Sequence, residues 1–307
     1  MAAHPVAVAL RDRSPGARLA IVVEGGGMRG AVSGGMVLGL HELGFGDAFD
    51  AAYGSSAGAL NAMWFVSGRV REGVPTWTDE RLVRALIRRQ ELLRRRPIVD
   101  ITTLVERRYE ELSPGLFDAV LRGRTELHPI ATDVRTGESV DLHPMINDAA
   151  SLRLALRASA ALPLLAGPPV RLDGRDYLDA GLSAAIPFRA ALADGATHVL
   201  VLRSRREGEA PQAPQGAAAA LTRRLLRRID PAVERAFATR AAREAEDEAL
   251  LDRHAAQPAL EPHILSIRPA AESPVPSRLE RDLDVIRGGL EAGREAVRAA
   301  LGQVSGR

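Results

Sequence analysis

Neither cysteine nor lysine occurs among the 307 residues. Without cysteine there is no disulfide framework, no thiolate metal site and no cysteine nucleophile, and the redox compartment is left open. Without lysine all 41 basic residues are arginine, set against 39 aspartates and glutamates, for a formal net charge of +2. The isoelectric point near 9.6 follows from that composition, because almost nothing titrates between neutrality and strong alkali. It is therefore no sign of nucleic-acid binding, and no DNA- or RNA-binding signature accompanies it. Apolar runs are short too: none approaches the roughly 18 residues of a membrane span. The first residues, MAAHPVAVALRDRSPGAR, lack a basic stretch ahead of their apolar patch, so a signal peptide is not expected. What is present, 46% hydrophobic and 26% charged residues, reads as a globular chain, expected in the cytoplasm with at most transient membrane-surface contact.

Residues 1–17 carry prolines, a glycine and charges that break any periodicity, which predicts a mobile N-terminal arm. Leu19 to Glu24 (LAIVVE) is a continuous apolar run of the kind buried on both faces of a parallel sheet. Helical spacing follows over 31–42, a short strand over 49–53 and a helix over 57–66. That alternation predicts an α/β fold with a mainly parallel central sheet. Further on, Arg135-Thr136-Gly137 and Asp173-Gly174 mark hairpin turns. A helix is expected over 149–161 and a buried strand over 197–203. Residues 79–96 read as an amphipathic, arginine-rich helix. GEAPQAPQG (208–216) reads as a linker, and beyond it 221–254 and 279–301 read as helical, with a strand at 263–267. The expected division is an arm (1–17), a catalytic domain (18–205) and a mainly helical C-terminal extension packed on the core (206–307). The sequence implies no oligomeric state.

Two stretches carry chemistry. Gly54-Ser55-Ser56-Ala57-Gly58 fits G-x-S-x-G, in which a central serine sits on a sharp strand-to-helix turn and small neighbours let the backbones pass. Ser56 would then stand at a helix N-terminus, where free N–H groups favour a developing oxyanion. Upstream, Gly25-Gly26-Gly27-Met28-Arg29-Gly30 follows a buried strand, and successive glycines there can aim N–H groups at one anionic point, with the donors expected in the region of Gly26 and Gly27. The same glycines match the dinucleotide fingerprint G-x-G-x-x-G, with Asp50 about 20 residues on as a ribose-binding acid. That alternative stays open, as does a purely structural glycine turn.

The proton acceptor is the less obvious member. His128, His143, His198, His254 and His263 follow Ser56, but none lies in a glycine-rich loop at a strand end. Asp179, by contrast, follows Tyr177-Leu178 and precedes Ala180-Gly181, a carboxylate at a strand end with small neighbours. Asp173 belongs to a turn and Asp176 is expected to face solvent. An aspartate is a weak base at its ordinary pKa near 3.9, so the assignment requires burial to raise it.

Glycine loop, elbow and D-A-G in this order resemble the patatin-like phospholipase family. The matching blocks are GGGMRG, GSSAG, LDAG and ASAALP (158–163), and ATDVRTGE (131–138) is similar to a further family segment. The resemblance, over about 19–204, implies a three-layer α/β/α fold and calcium-independent hydrolysis of acyl esters in phospholipids or other lipids. It implies a Ser56–Asp179 dyad without histidine, and no metal or cofactor. Gly25, Gly26, Gly27 and Met28 are the implied oxyanion hole, and Arg29 and Gly30 are expected at the substrate. This chain departs from the family in having Asp179-Ala180-Gly181 where D-G-G or D-G-A is usual. It also lacks the asparagine commonly found before the following proline, which leaves a non-hydrolytic lipid-binding module as the other reading.

Overall fold

A computed structural model of the protein describes residues 3–13, 16–88, 91, 97–210 and 215–304. The strands are Leu19–Val23 (β1), Ala51–Ser55 (β2), Glu126–Asp133 (β3), Ser139–Asp141 (β4), Val170–Leu172 (β5), Arg175–Asp179 (β6), His198–Leu202 (β7) and His263–Ile267 (β8). They form one sheet in the order β5-β6-β3-β2-β1-β7-β8, with β4 beside β3. β1, β2, β3, β7 and β8 run parallel, while β4 and β6 are antiparallel to β3 and β5 is antiparallel to β6.

β1 lies in the middle, and all five of its residues are buried. Leu19, Ile21 and Val23 pack into one layer with Val32, Met36 and Leu60, whereas Ala20 and Val22 pack into the other with Phe188 and Leu251. Covered on both faces, the strand has to be apolar at every position, which is the unbroken run read from the sequence.

The helices that position the site are Pro5–Arg11 (α1), Gly30–Glu42 (α2), Ala57–Val66 (α3), Glu80–Leu86 (α4), Ala149–Ser159 (α5), Phe188–Ala193 (α6), Gly216–Ile229 (α7), Pro231–Ala256 (α8) and Leu283–Leu301 (α9). α2, α3 and α9 contribute to the layer on one face, and α6 and α8 to the layer on the other. A third cluster joins the β5–β6 hairpin to α5, α7 and α8.

Three local readings are corrected. The described part of the N-terminal arm, rather than being mobile, holds α1, with Val6, Ala7, Ala9 and Leu10 buried. Proline at the first helical position is compatible with a helix, and His4 Nδ1 accepts from the Val6 N–H at 3.2 Å, so the Pro-Val-Ala-Val-Ala-Leu stretch forms one apolar turn after another. The helix expected over 79–96 covers only Glu80–Leu86 among the described residues, after which Ile87 bridges Val99; 89–90 and 92–96 lie outside the described residues. Asp79 caps it, accepting from the Leu82 N–H at 2.9 Å. The helix expected over 221–254 breaks in two at Asp230-Pro231. Proline forces the residue before it out of helical geometry, so Asp230 is extended (φ −162°, ψ 143°) and its carboxylate instead caps α8. Residues 211–214 of the expected linker lie outside the described residues.

The C-terminal part is joined to the core in two ways. β8 extends the parallel sheet, and α9 crosses α2 with backbone touching backbone. A Cβ on Gly35 would lie 1.8 Å from the Leu290 carbonyl oxygen, and one on Gly293 would lie 2.0 Å from that of Val32. Gly35→Ala must therefore push the helices apart. We expect it to lower stability by roughly 1–3 kcal/mol, read as a fall in the urea midpoint at unchanged slope.

Candidate active site

The register of β1 and β2 pairs Val23 with Gly54. The glycine loop and the serine elbow therefore leave the sheet side by side, at the C-terminal ends of adjacent parallel strands. Ser56 has φ 53° and ψ −124°, a left-handed backbone that a non-glycine residue adopts at a cost of about 1–3 kcal/mol. The small neighbours make the turn possible. A Cβ on Gly54 would stand 2.4 Å from Ala59 Cα, and one on Gly58 would stand 2.2 Å from the Val23 carbonyl oxygen.

Asp179 arrives from β6. It pairs with Ala131 of β3, and β3 in turn pairs its Ile130 with Ser55, so only one strand separates the carboxylate from the elbow. Ser56 Oγ donates to Asp179 Oδ2 at 2.7 Å. The other carboxylate oxygen accepts from the Gly181 N–H at 2.7 Å, and the Asp179 carbonyl accepts from Thr132 Oγ1 at 2.9 Å. Only 3% of Asp179 is exposed. Burial raises its pKa above the ordinary aspartate value, against the opposing pull of the Ser56 and Gly181 hydrogen bonds and of the Arg240 and Arg278 charges.

The glycine loop divides into committed and free donors. The Gly25 N–H donates to the Ala185 carbonyl at 3.2 Å, and the Met28 N–H donates to the Arg278 carbonyl at 3.0 Å. The four-residue oxyanion assignment is corrected accordingly: Gly25 and Met28 hold the loop in place, and the Met28 side chain is buried against Ala31, Val83, Ile87 and Ile286. Among the described residues, the N–H groups of Gly26 and Gly27 have no hydrogen-bond partner. Both have positive φ, 153° and 61°, which suits glycine. Gly25 is itself confined, since a Cβ there would meet the Ser55 carbonyl oxygen at 2.6 Å and Ser56 Cβ at 3.1 Å.

Arg29 lines the same cavity and pairs with Glu209 at 3.3 Å. Gly30 does not line it, which corrects its reading as a substrate contact. A Cβ there would lie 2.4 Å from the Trp77 ring, so the missing side chain serves packing. The cavity, about 370 Å³, opens from the glycine loop and Ser56 toward Leu60, Val83, Ile87, Ile101, Leu104 and Tyr109, a mainly apolar wall. That size falls within the range of small-molecule sites.

The rival readings lose their geometry. Asp50 stands just ahead of β2, at the opposite end of the sheet from the glycine loop, and accepts from the Leu19 N–H at 2.9 Å. It cannot reach a nucleotide on that loop. Among the described residues no histidine lines the cavity. His128 stacks between Tyr53 and His143, with centroids 4.3 Å away on each side, and its Nδ1 lies 2.6 Å from an Asp141 oxygen. Asp173 forms the hairpin turn at φ 46°, and Asp176 pairs with Arg171 at 3.3 Å. Among the described residues, Glu126, His128 and Asp194 bring potential metal-ligand atoms within 4.8 Å of one another, but the Arg18 guanidinium already ion-pairs with both Glu126 and Asp194.

Three contributors escaped the sequence reading. Ser159 Oγ accepts from the Ser56 N–H at 3.0 Å and so ties the elbow to the end of α5. Arg240, on α8, and Arg278 line the cavity from the C-terminal part of the chain. The serine in ASAALP was within a recognised block but carried no assigned role, and nothing local to Arg240 or Arg278 distinguishes them among 41 arginines.

A mainly parallel sheet between helical layers, with an elbow serine beside a glycine loop, is the α/β architecture that the patatin-like blocks lead one to expect. The patatin-like phospholipase family model matches residues 21–192, more than half of the chain, and the chain belongs to that family. It is also similar to the uncharacterized protein YjjU of Escherichia coli (strain K12), at 29% identity over 200 residues, 64% of this chain and 54% of that protein. The chain thus spans about half the length of that curated relative. Among the described residues no helix is long and apolar enough to cross a membrane.

Proposed function

We propose that the protein is a serine hydrolase of lipid acyl esters that works through Ser56 and Asp179 alone. The observation that carries this reading is the 2.7 Å hydrogen bond from Ser56 Oγ to Asp179 Oδ2, with a buried carboxylate where a triad would put an imidazole. Asp179 takes the serine proton as Oγ attacks the ester carbonyl. The N–H groups of Gly26 and Gly27, joined by that of Ala57 at the start of α3, meet the oxyanion, each such donor lowering the barrier by about 3–4 kcal/mol. The alcohol leaves with the proton from Asp179, and water deprotonated by the same carboxylate releases the fatty acid and restores Ser56. The apolar wall formed by Leu60, Val83, Ile87 and Leu104 takes the acyl chain.

The two departures from the family pattern are compatible with this chemistry. Asp179 is oriented through the Gly181 amide, and the buried Ala180 belongs to the apolar cluster that includes Ile130 and Ile186. The stretch lacking the usual asparagine still supplies the Ala185 carbonyl that holds Gly25. A fluorophosphonate probe should label the protein, with the adduct mass on Ser56, and a mixed phospholipid extract should yield free fatty acid. A protein that is folded, unlabelled and inert toward both would leave lipid binding without hydrolysis as its role. Ser55→Ala is expected to keep labelling, and to remove a buried hydroxyl that has no partner among the described residues. Retention of the label, measured beside an unchanged melting curve, checks this.

A further inference from the structure

Four arginines, Arg29, Arg205, Arg240 and Arg278, line the cavity beside Ser56 and Asp179, where Glu24 and Asp179 are the acidic residues. Most of that positive charge is answered. Arg29 pairs with Glu209 at 3.3 Å, and Arg205 and Arg240 each reach Glu244 at 2.6 Å, sharing one carboxylate between two guanidinium groups. Arg278 is not: among the described residues no carboxylate lies within 4 Å of its guanidinium. Its backbone is also fixed in place. Its carbonyl accepts from the Met28 N–H at 3.0 Å, and that oxygen comes so near the glycine loop that a Cβ on Gly27 would stand 2.5 Å from it. An exposed cation without a carboxylate partner among the described residues therefore stands on a backbone segment tied to the glycine loop.

We infer that Arg278, backed by Arg240 and Arg29, forms a subsite for an anionic group, phosphate or carboxylate, carried on the alcohol side of the ester that Ser56 attacks. This rests on the hydrolase reading and adds to it a specificity determinant from beyond residue 192, where the family match ends. The geometry favours a substrate anion over another protein charge, because Arg278 lines the cavity and its guanidinium fork suits a phosphate or carboxylate. The acyl chain then runs along the apolar wall while the anion lies at the arginine end.

The test compares a monoacylglycerol with the same monoacylglycerol bearing a 3-phosphate. The full-length protein should prefer the phosphorylated ester, and Arg278→Gln should reduce the ratio of the two kcat/KM values roughly 10- to 100-fold, as for loss of a hydrogen bond to a charged group. Arg278→Lys should restore part of the ratio. A parallel loss on both esters, leaving the ratio fixed, overturns the inference. A second measurement is independent of turnover: binding of an ether-linked alkylglycerol phosphate to Ser56→Ala protein, with and without Arg278→Gln. Binding weakened to a similar degree supports the subsite even if no ester is hydrolysed, whereas equal binding overturns it. Inorganic phosphate that binds as tightly as the ether lipid would make the site one for the free ion and likewise overturn it.

Discussion

Replacing Ser56 by alanine is expected to abolish fluorophosphonate labelling and to lower the turnover of any acyl ester by roughly 10⁴- to 10⁶-fold, the range seen when a member of a hydrolase triad is removed. The loss is large because everything else in the site acts through the attack of Oγ. The free Gly26 and Gly27 amides have no oxyanion to meet, and Asp179 has no hydroxyl to deprotonate. The fold should survive the change. Ser56 holds its strained backbone through its N–H bond to Ser159 Oγ and through the glycines on either side, none of which uses its side chain. Activity above a hundredth of wild type, or labelling that persists, would move the nucleophile elsewhere. The matched Ser55→Ala protein separates the two neighbours.

Ser56 and Asp179 were legible in the sequence for reasons local to each. An elbow must have small residues around its serine, and at Gly54 and Gly58 the closest backbone atoms lie 2.4 and 2.2 Å from where a Cβ would be. A carboxylate at the end of an apolar strand is likewise conspicuous by its type. The core strands were legible because burial on both faces leaves no polar position, as in β1, or only one at the strand's start, as His198 in β7. What the sequence could not give is set by contacts between distant segments. That Gly25 and Met28 are spent on the Ala185 and Arg278 carbonyls, leaving Gly26 and Gly27 free, depends on residues 160 and 250 positions away. Gly30 looked like part of a ligand loop, yet it is small to admit Trp77. Asp50 stood at the spacing of a ribose-binding acid, but spacing does not say which end of a strand a residue occupies. The arm failed for a different reason: prolines and charges outweighed four apolar residues that bury as α1 once β7 and β8 are there to receive them.

Asp179→Asn should separate activity from stability, and it tests the proton acceptor directly. Loss of a general base costs roughly 10²- to 10⁴-fold in rate. In the wild type the carboxylate must be ionised to accept the Ser56 proton, so activity should rise with pH through the raised pKa of Asp179 and then level off. That limb lies above the ordinary aspartate range because burial disfavours the charge, and it should vanish in the asparagine variant. Stability runs the opposite way. Between the unfolded value near 3.8 and the raised folded value, the unfolded chain has lost its proton while the folded chain keeps it, so wild-type stability falls as pH rises through this window and stays lower above it. Asparagine carries no such charge, and its amide can still meet Ser56 Oγ while its oxygen accepts from Gly181. Asp179→Asn is therefore expected to melt above the wild type at neutral pH, with the gap closing below about pH 4. A variant that is equally active, or one that is inactive and less stable at neutral pH with no closing gap, would show that the carboxylate is there to hold the fold rather than to take the proton.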